Sequence, residues 1–118
     1  MKIALDAQGA DLGIGEVVEG AKIVAAEGIE IVLFDPESDV KAALGPNAPA
    51  NISVVHAPDV ITNHDEPAAS ARAKKQSSIV VAAKAVAAGE ADALVSAGPT
   101  GAVLAASLFN MKRIKGVR

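Results

Sequence analysis

Short apolar runs of strand length alternate with segments of helical period along this chain, and that alternation dictates a parallel sheet. Each strand must be carried back to the same end by a crossover, and a helix is the usual way to do it. Lys2 to Asp6 reads as a first strand. Glu16 to Glu27 then places Val17, Ala21, Val24 and Ala25 on one helical face, stopped by Gly28. Ile29 to Phe34 is a second strand. A short helix over Glu37 to Leu44 follows, opened near Pro36 or Ser38 and closed by Gly45-Pro46. Ile52 to Ala57 gives a third strand, and Thr62 to Pro67 reads as a polar loop in which Asp65 or Glu66 precedes a helix-starting Pro67. Ile79, Ala83, Val86 and Ala87 mark another helix face ended by Gly89. Ala91 to Ala97 is the fourth strand, and Val103, Leu104, Ser107, Leu108 and Met111 form the stripe of a last helix. The expectation is one α/β domain over 1–118, three layers deep with a mostly parallel sheet.

Composition narrows what such a domain can do. Hydrophobic residues make up 51% of the chain but aromatics only 2%, so Ala, Val, Ile and Leu must build the core. A net charge of -3, with no Trp or Tyr, provides neither a basic face nor a stacking platform, so no nucleic-acid partner is expected. The absence of Cys excludes disulfides, thiolate metal sites and a cysteine nucleophile, and fits a cytoplasmic protein. Asp6 interrupts the first apolar run too early for a signal peptide. The basic run Lys112 to Arg118 stops without an evident closing element; its charges suit the C-terminus of the last helix, and the chain reads as part of a longer protein.

Ligands of open parallel sheets bind outside the carboxyl ends of the strands, which selects three clusters. The first, Asp6-Ala7-Gln8-Gly9-Ala10-Asp11, offers two carboxylates that either fix loop amides or orient a ligand. The second runs from Asp65-Glu66-Pro67 through Arg72, Lys74, Lys75, Ser77 and Ser78. In a helix starting near Pro67, Lys74 would share a face with Ser77 and Ser78, and Arg72 would lie one turn from Lys75. Cations and hydroxyls so gathered suit phosphate, although the same residues also suit a solvated helix face. The third, Ser96-Ala97-Gly98-Pro99-Thr100-Gly101, is a small-residue turn into a helix, where backbone N–H groups can approach an anion. His56 and His64 have no sequence-defined partner, and no spacing marks a metal site. Asp35 stands where a dinucleotide-binding fold places its acidic residue, but Gly9, Gly13 and Gly15 do not form G-x-G-x-x-G, so no NAD or other cofactor is expected.

These clusters resemble those of the phosphate acyltransferase (PlsX) family. Asp6-Ala7-Gln8-Gly9-Ala10-Asp11 is similar to its D-A-M-G-G-D, and Val54-Val55-His56-Ala57-Pro58 looks like its third strand. Glu66-Pro67-Ala68 with Arg72-Ala73-Lys74-Lys75-Gln76-Ser77-Ser78 resembles E-P-x…R-x-K-K-x-S-S, and Ala91 through Ala102 resembles A-D-A-x-V-S-A-G-N-T-G-A. Two positions depart: Ala10 replaces a loop glycine and Pro99 an asparagine, which removes an amide and a backbone donor. The resemblance implies the N-terminal part of a longer Rossmann-like enzyme of the isocitrate/isopropylmalate dehydrogenase kind. It also implies a homodimer in the full-length protein, loose membrane association, and transfer of a fatty acyl group from acyl-carrier protein to inorganic phosphate. Lys74, Lys75 and Asp6 would then be catalytic, while Gly9, Asp11, Arg72, Ser77, Ser78, Ser96, Gly98, Thr100 and Gly101 would bind phosphate or substrate. The competing expectations are a phosphate acetyl- or butyryltransferase acting on short acyl-CoA, a dehydrogenase-like protein, and a noncatalytic phosphate-binding module.

Overall fold

The structure, a computed structural model, describes residues 1–9, 11–62 and 64–116. Ala10, and Val117 and Arg118 of the basic run, lie outside the described residues. The described residues form four strands and five helices: β1 (Lys2–Asp6), α1 (Ile14–Ala25), β2 (Glu30–Asp35), α2 (Glu37–Leu44), β3 (Ile52–His56), α3 (Pro67–Ala73), α4 (Ser78–Ala87), β4 (Ala93–Ser96) and α5 (Thr100–Asn110). The strands pair in the order β3-β2-β1-β4, and every pair is parallel.

That order puts the reversal of chain direction between β3 and β4. Right-handed crossovers therefore send α1 and α2 to one face and α3 and α4 to the other. Alternation along β2 shows the two faces. Ile31 and Leu33 pack with Val18, Ala21, Val40 and Leu44 beneath α1 and α2, while Phe34 packs with Ala4, Ala82 and Ala85 beneath α4. A third cluster joins α4 to α3 and α5 through Ala71, Ile79, Val80, Ala83, Ala102, Ala105 and Ala106. No helix among the described residues is long and apolar enough to cross a membrane.

Element types match the alternation read from the sequence, but boundaries and two faces differ. α1 starts at Ile14 rather than Glu16, because Gly13 at φ 88° turns the chain into the helix earlier than the apolar period indicates. β4 is confined to Ala93–Ser96. On α4, Ile79 and Ala83 are buried as expected, whereas Val86 is half-buried and Ala87 exposed.

The single helix expected to run from Pro67 past Ser78 is two helices. Lys74 leaves helical geometry at φ -92°, ψ 68°, and Ser77 is extended before α4 begins. Lys74, Ser77 and Ser78 therefore share no helix face, and Lys75 lies in the link rather than one turn from Arg72.

Of the stripe expected to bury α5, Val103 packs against the core but the larger residues lie on the other side. Ala102, Ala105 and Ala106 face the protein, whereas Leu104 is 68% exposed and Leu108 and Met111 also face outward. The cause is the closeness of α5 to α3: a Cβ built on Gly101 would stand 2.6 Å from Pro67 Cγ, so only small residues fit that side. Leu33→Ala should then cost about 2–5 kcal/mol through the cavity it leaves beneath α1 and α2. Leu104→Ala should change stability by less than about 0.5 kcal/mol. Urea denaturation of the two variants checks this, and a large loss from Leu104→Ala would restore the larger stripe as the packing face.

Candidate functional site

The topological switch point lies between β1 and β4, and the first and third clusters meet there. Asp6 ends β1 opposite Ser96 at the end of β4. The Asp6 carboxylate is 2% exposed; it accepts from the Gln8 N–H at 3.1 Å and from the Ser96 hydroxyl at 2.6 Å. Ser96 Oγ in turn accepts from the Gly98 N–H at 3.1 Å. One carboxylate thus orders the loops after both strands. Burial pushes its pKa up, opposed by its bonds with Ser78, Ser96 and Gln8. The loops touch: a Cβ on Gly9, which holds φ 80°, would come within 2.9 Å of Gly98 Cα.

The second cluster reaches the same place through its serines. A narrow cleft is lined by Asp6 and Gln8, by Ser77, Ser78 and Ile79, and by Pro99, Ala102 and Val103. Two helices start at it. Neither α4, with Ser77 at its N-cap, nor α5, with Pro99, has a side-chain cap, so their leading N–H groups are unsatisfied by the usual route. Ser77 Oγ is buried and has no hydrogen-bond partner among the described residues. The free space inside is only about 10 Å³, room for roughly one water, so a larger anion must sit at the mouth.

The basic residues of that cluster are placed differently. Lys74 Nζ donates to the Val60 carbonyl at 2.7 Å and pairs with Asp65 at 3.0 Å; the Thr62 N–H, followed by this pairing, holds the Asp65 carboxyl below its usual range. Arg72 lies over the Phe109 ring, 4.6 Å from its centre. Lys75 is exposed in the link before α4, Asp11 is exposed beyond β1, and Thr100 is exposed at the start of α5. Glu66 caps α3 through the N–H groups of Ala68 and Ala69.

Two residues have roles that sequence reasoning did not find. His56 Nδ1 accepts the Glu37 N–H at 3.0 Å, serving the start of α2 from a neighbouring strand; no local spacing reveals a cap nineteen residues away. Asp35, tested above only against a dinucleotide motif, is 2% exposed with Oδ1 unpartnered among the described residues. It lines a cavity on the α1 and α2 face with Gln8, Gly13, Gly15 and Asp39. Burial pushes its carboxyl up to about 6, with Asp6 and Asp39 adding to the rise and Gln8 opposing it. No group of three His, Asp or Glu side chains arranged to hold a metal occurs among the described residues.

The Asp35 shift sets a pH dependence. The folded carboxyl keeps its proton to a higher pH than the unfolded one, whose pKa is near 3.9, so this group's contribution to stability falls as pH rises from about 4 to about 6. At about 1.4 kcal/mol per unit, the cost above that window is of order 2–3 kcal/mol. Asp35→Asn should therefore gain stability relative to the parent between pH 4 and 7, with no gain from this cause below pH 4. Urea midpoints at pH 4, 5.5 and 7 measure it, and a difference that stays flat with pH would show Asp35 ionising as a solvated carboxyl.

Comparison with known proteins agrees with these motifs. The family profile described as "Fatty acid synthesis protein" matches residues 1–118. A phosphate acyltransferase of Pelotomaculum thermopropionicum is 49% identical over 99% of this chain and 35% of its own length. Those of Desulforamulus reducens and Levilactobacillus brevis are each 47% identical over 99% of this chain, and over 36% and 34% of theirs. The chain thus spans about 35% of the length of the first of these relatives. With the whole of its described fold inside the match, the chain belongs to the fatty acid synthesis protein family, in which these phosphate acyltransferases are its relatives.

Proposed function

We propose that this domain supplies the phosphate seat of an enzyme that moves a fatty acyl group from acyl-carrier protein to inorganic phosphate, for use in phospholipid synthesis. The observation that carries the reading is the convergence of two uncapped helix N-termini and the unpartnered Ser77 hydroxyl at the switch point. Backbone N–H groups in that arrangement favour an oxyanion without a dedicated cation.

Phosphate is itself the nucleophile. One of its oxygens attacks the thioester carbonyl carbon, the tetrahedral oxyanion collapses, and the C–S bond breaks. The carrier sulfur leaves with the proton that monohydrogen phosphate brought, giving acyl phosphate and free thiol. No serine triad or covalent enzyme intermediate is needed. The protein must hold phosphate against the carbonyl, donate to the developing oxyanion and keep water away from the product. In this reading Ser77, Ser78, Thr100, Gly98 and Gly101 seat the phosphate at the cleft mouth. Asp6, Gly9 and Ser96 hold the loops that form it. Lys75, adjacent to the α4 N-terminus, supplies positive charge, and Lys74 can add its own only by leaving Asp65. Asp11 and Arg72 lie at the periphery as substrate contacts. The remainder of the active site belongs to the additional length that the relatives have.

Titration of this chain with inorganic phosphate, followed by backbone amide shifts, tests the seat. Shifts should centre on Ser78, Thr100 and Gly101, and Ser77→Ala should weaken binding about tenfold, the worth of one hydrogen bond to a charged group. Thermal stability should hold or rise, since the lost hydroxyl had no partner among the described residues. Unchanged affinity in Ser77→Ala, or shifts elsewhere, would remove the seat from this cleft. In a protein of the relatives' length carrying this domain, hydroxylamine trapping of acyl phosphate with acyl-carrier protein against acyl-CoA decides the donor. Product from short acyl-CoA alone would make it a short-chain phosphate acyltransferase.

A further inference from the structure

Ile61 lines the cleft at the switch point together with Ser77 and Ser78. It is buried and packs in one cluster with Ala71 of α3 and with Ile79 and Val80 of α4. The residues on either side of it are held by a single ion pair. Lys74 Nζ donates to the Val60 carbonyl at 2.7 Å and to Asp65 Oδ2 at 3.0 Å. The same carboxylate oxygen accepts from the Thr62 N–H at 2.8 Å and from the Thr62 hydroxyl at 3.2 Å. Val60 and Thr62 are thereby tied to each other through Lys74 and Asp65, with Ile61 between them.

The pair reaches the Ser77 side of the cleft as well. The Lys74 carbonyl accepts the Ser77 N–H at 3.1 Å, so the residue that carries the ammonium also fixes the start of α4. One residue before Ser77, the Gln76 carbonyl accepts the Asp59 N–H at 3.1 Å. The link between α3 and α4 is therefore tied at both ends to the stretch that carries Ile61.

We propose that Asp65 is a positioning residue for the phosphate seat, setting the spacing of Ile61 and Ser77 through Lys74. The inference rests on the seat proposed above and gives Lys74 the part of a strut rather than of a cation on phosphate. A cleft with only about 10 Å³ of free space has no slack, so a shift of either side misaligns the Ser77 hydroxyl and the leading N–H groups of α4. Both partners of the pair are partly exposed, so global stability owes it little and its effect is local. The charge of Asp65 lets the sign of an effect decide. Coulomb attraction alone predicts tighter anion binding when a carboxylate is removed and an ammonium three residues from Ser77 is freed. Positioning predicts the reverse.

The test compares the parent chain with Asp65→Asn, Lys74→Met and the double variant. Without ligand, each should speed hydrogen exchange of the Ser77 N–H several-fold and shift the Ile61 amide, while β1 and β2 keep their protection. Titration with inorganic phosphate, followed at the Ser78 and Thr100 amides, should show each variant binding several-fold more weakly. The double variant should bind no worse than the weaker single one, because both changes remove the same tie. Tighter phosphate binding in Asp65→Asn overturns the proposal and makes Lys74 a direct phosphate cation. Unchanged Ile61 and Ser77 amides in both single variants also overturn it. Lost protection in β1 and β2 overturns it too, by making the pair a general structural tie. A parent chain with no phosphate shifts at Ser78 and Thr100 removes the seat itself, a separate result because exchange reads the tie without ligand.

Discussion

The buried carboxylate of Asp6 is the constraint on which the carboxyl edge depends. A carboxylate at 2% exposure is costly unless its oxygens are satisfied, and here they are satisfied by Gln8, two residues on, and by Ser96, ninety residues away at the end of β4. Because Ser96 donates to Asp6 while accepting from Gly98, the hydroxyl has only one orientation, and the turn into α5 is fixed with it. The contact between Gly9 and Gly98 then follows, since no larger residue could stand between loops drawn together in this way. Asp6 is thus occupied in holding the loops, and its chemistry at the edge is exercised through them.

The layering of the fold was legible because each strand has a clear apolar run, and Gly28, Gly45 and Gly89 stop α1, α2 and α4. What misled was the size of the apolar residues. Periodicity in α5 favoured Leu104, Leu108 and Met111 because hydropathy weights large side chains, while the real contact surface is alanine. Close helix packing selects for small residues, so the strongest apolar stripe and the packing face need not coincide. The break at Lys74 was illegible for another reason: no Gly or Pro marks it. Tertiary contacts of its ammonium with Val60 and Asp65 accompany the break, and these join residues fourteen and nine positions apart. The serine that starts α4 was the available local sign, since serine favours helix starts.

The candidate site was legible as three stretches of chain but not as side-chain roles. Sequence proximity placed Lys74 beside Ser77 and Ser78, and the structure gives Lys74 to Asp65 while turning the serines toward Asp6, Gln8 and Pro99. Asp35 was read only against a glycine motif, which it fails. Its isolation beside an uncapped helix is a property of burial, and no spacing rule reports burial.

The arrangement also explains how a chain so poor in aromatic and specialised side chains can still present chemistry. In the proposed seat the donors are backbone N–H groups, whose direction is fixed by helix starts and whose charge is partial. Such donors need no desolvation of a full cation and no ordering of a long side chain, so most of their entropy cost is met when the domain folds. Helices on opposite faces of a parallel sheet begin at the same edge, so their leading N–H groups gather at the carboxyl ends of the strands.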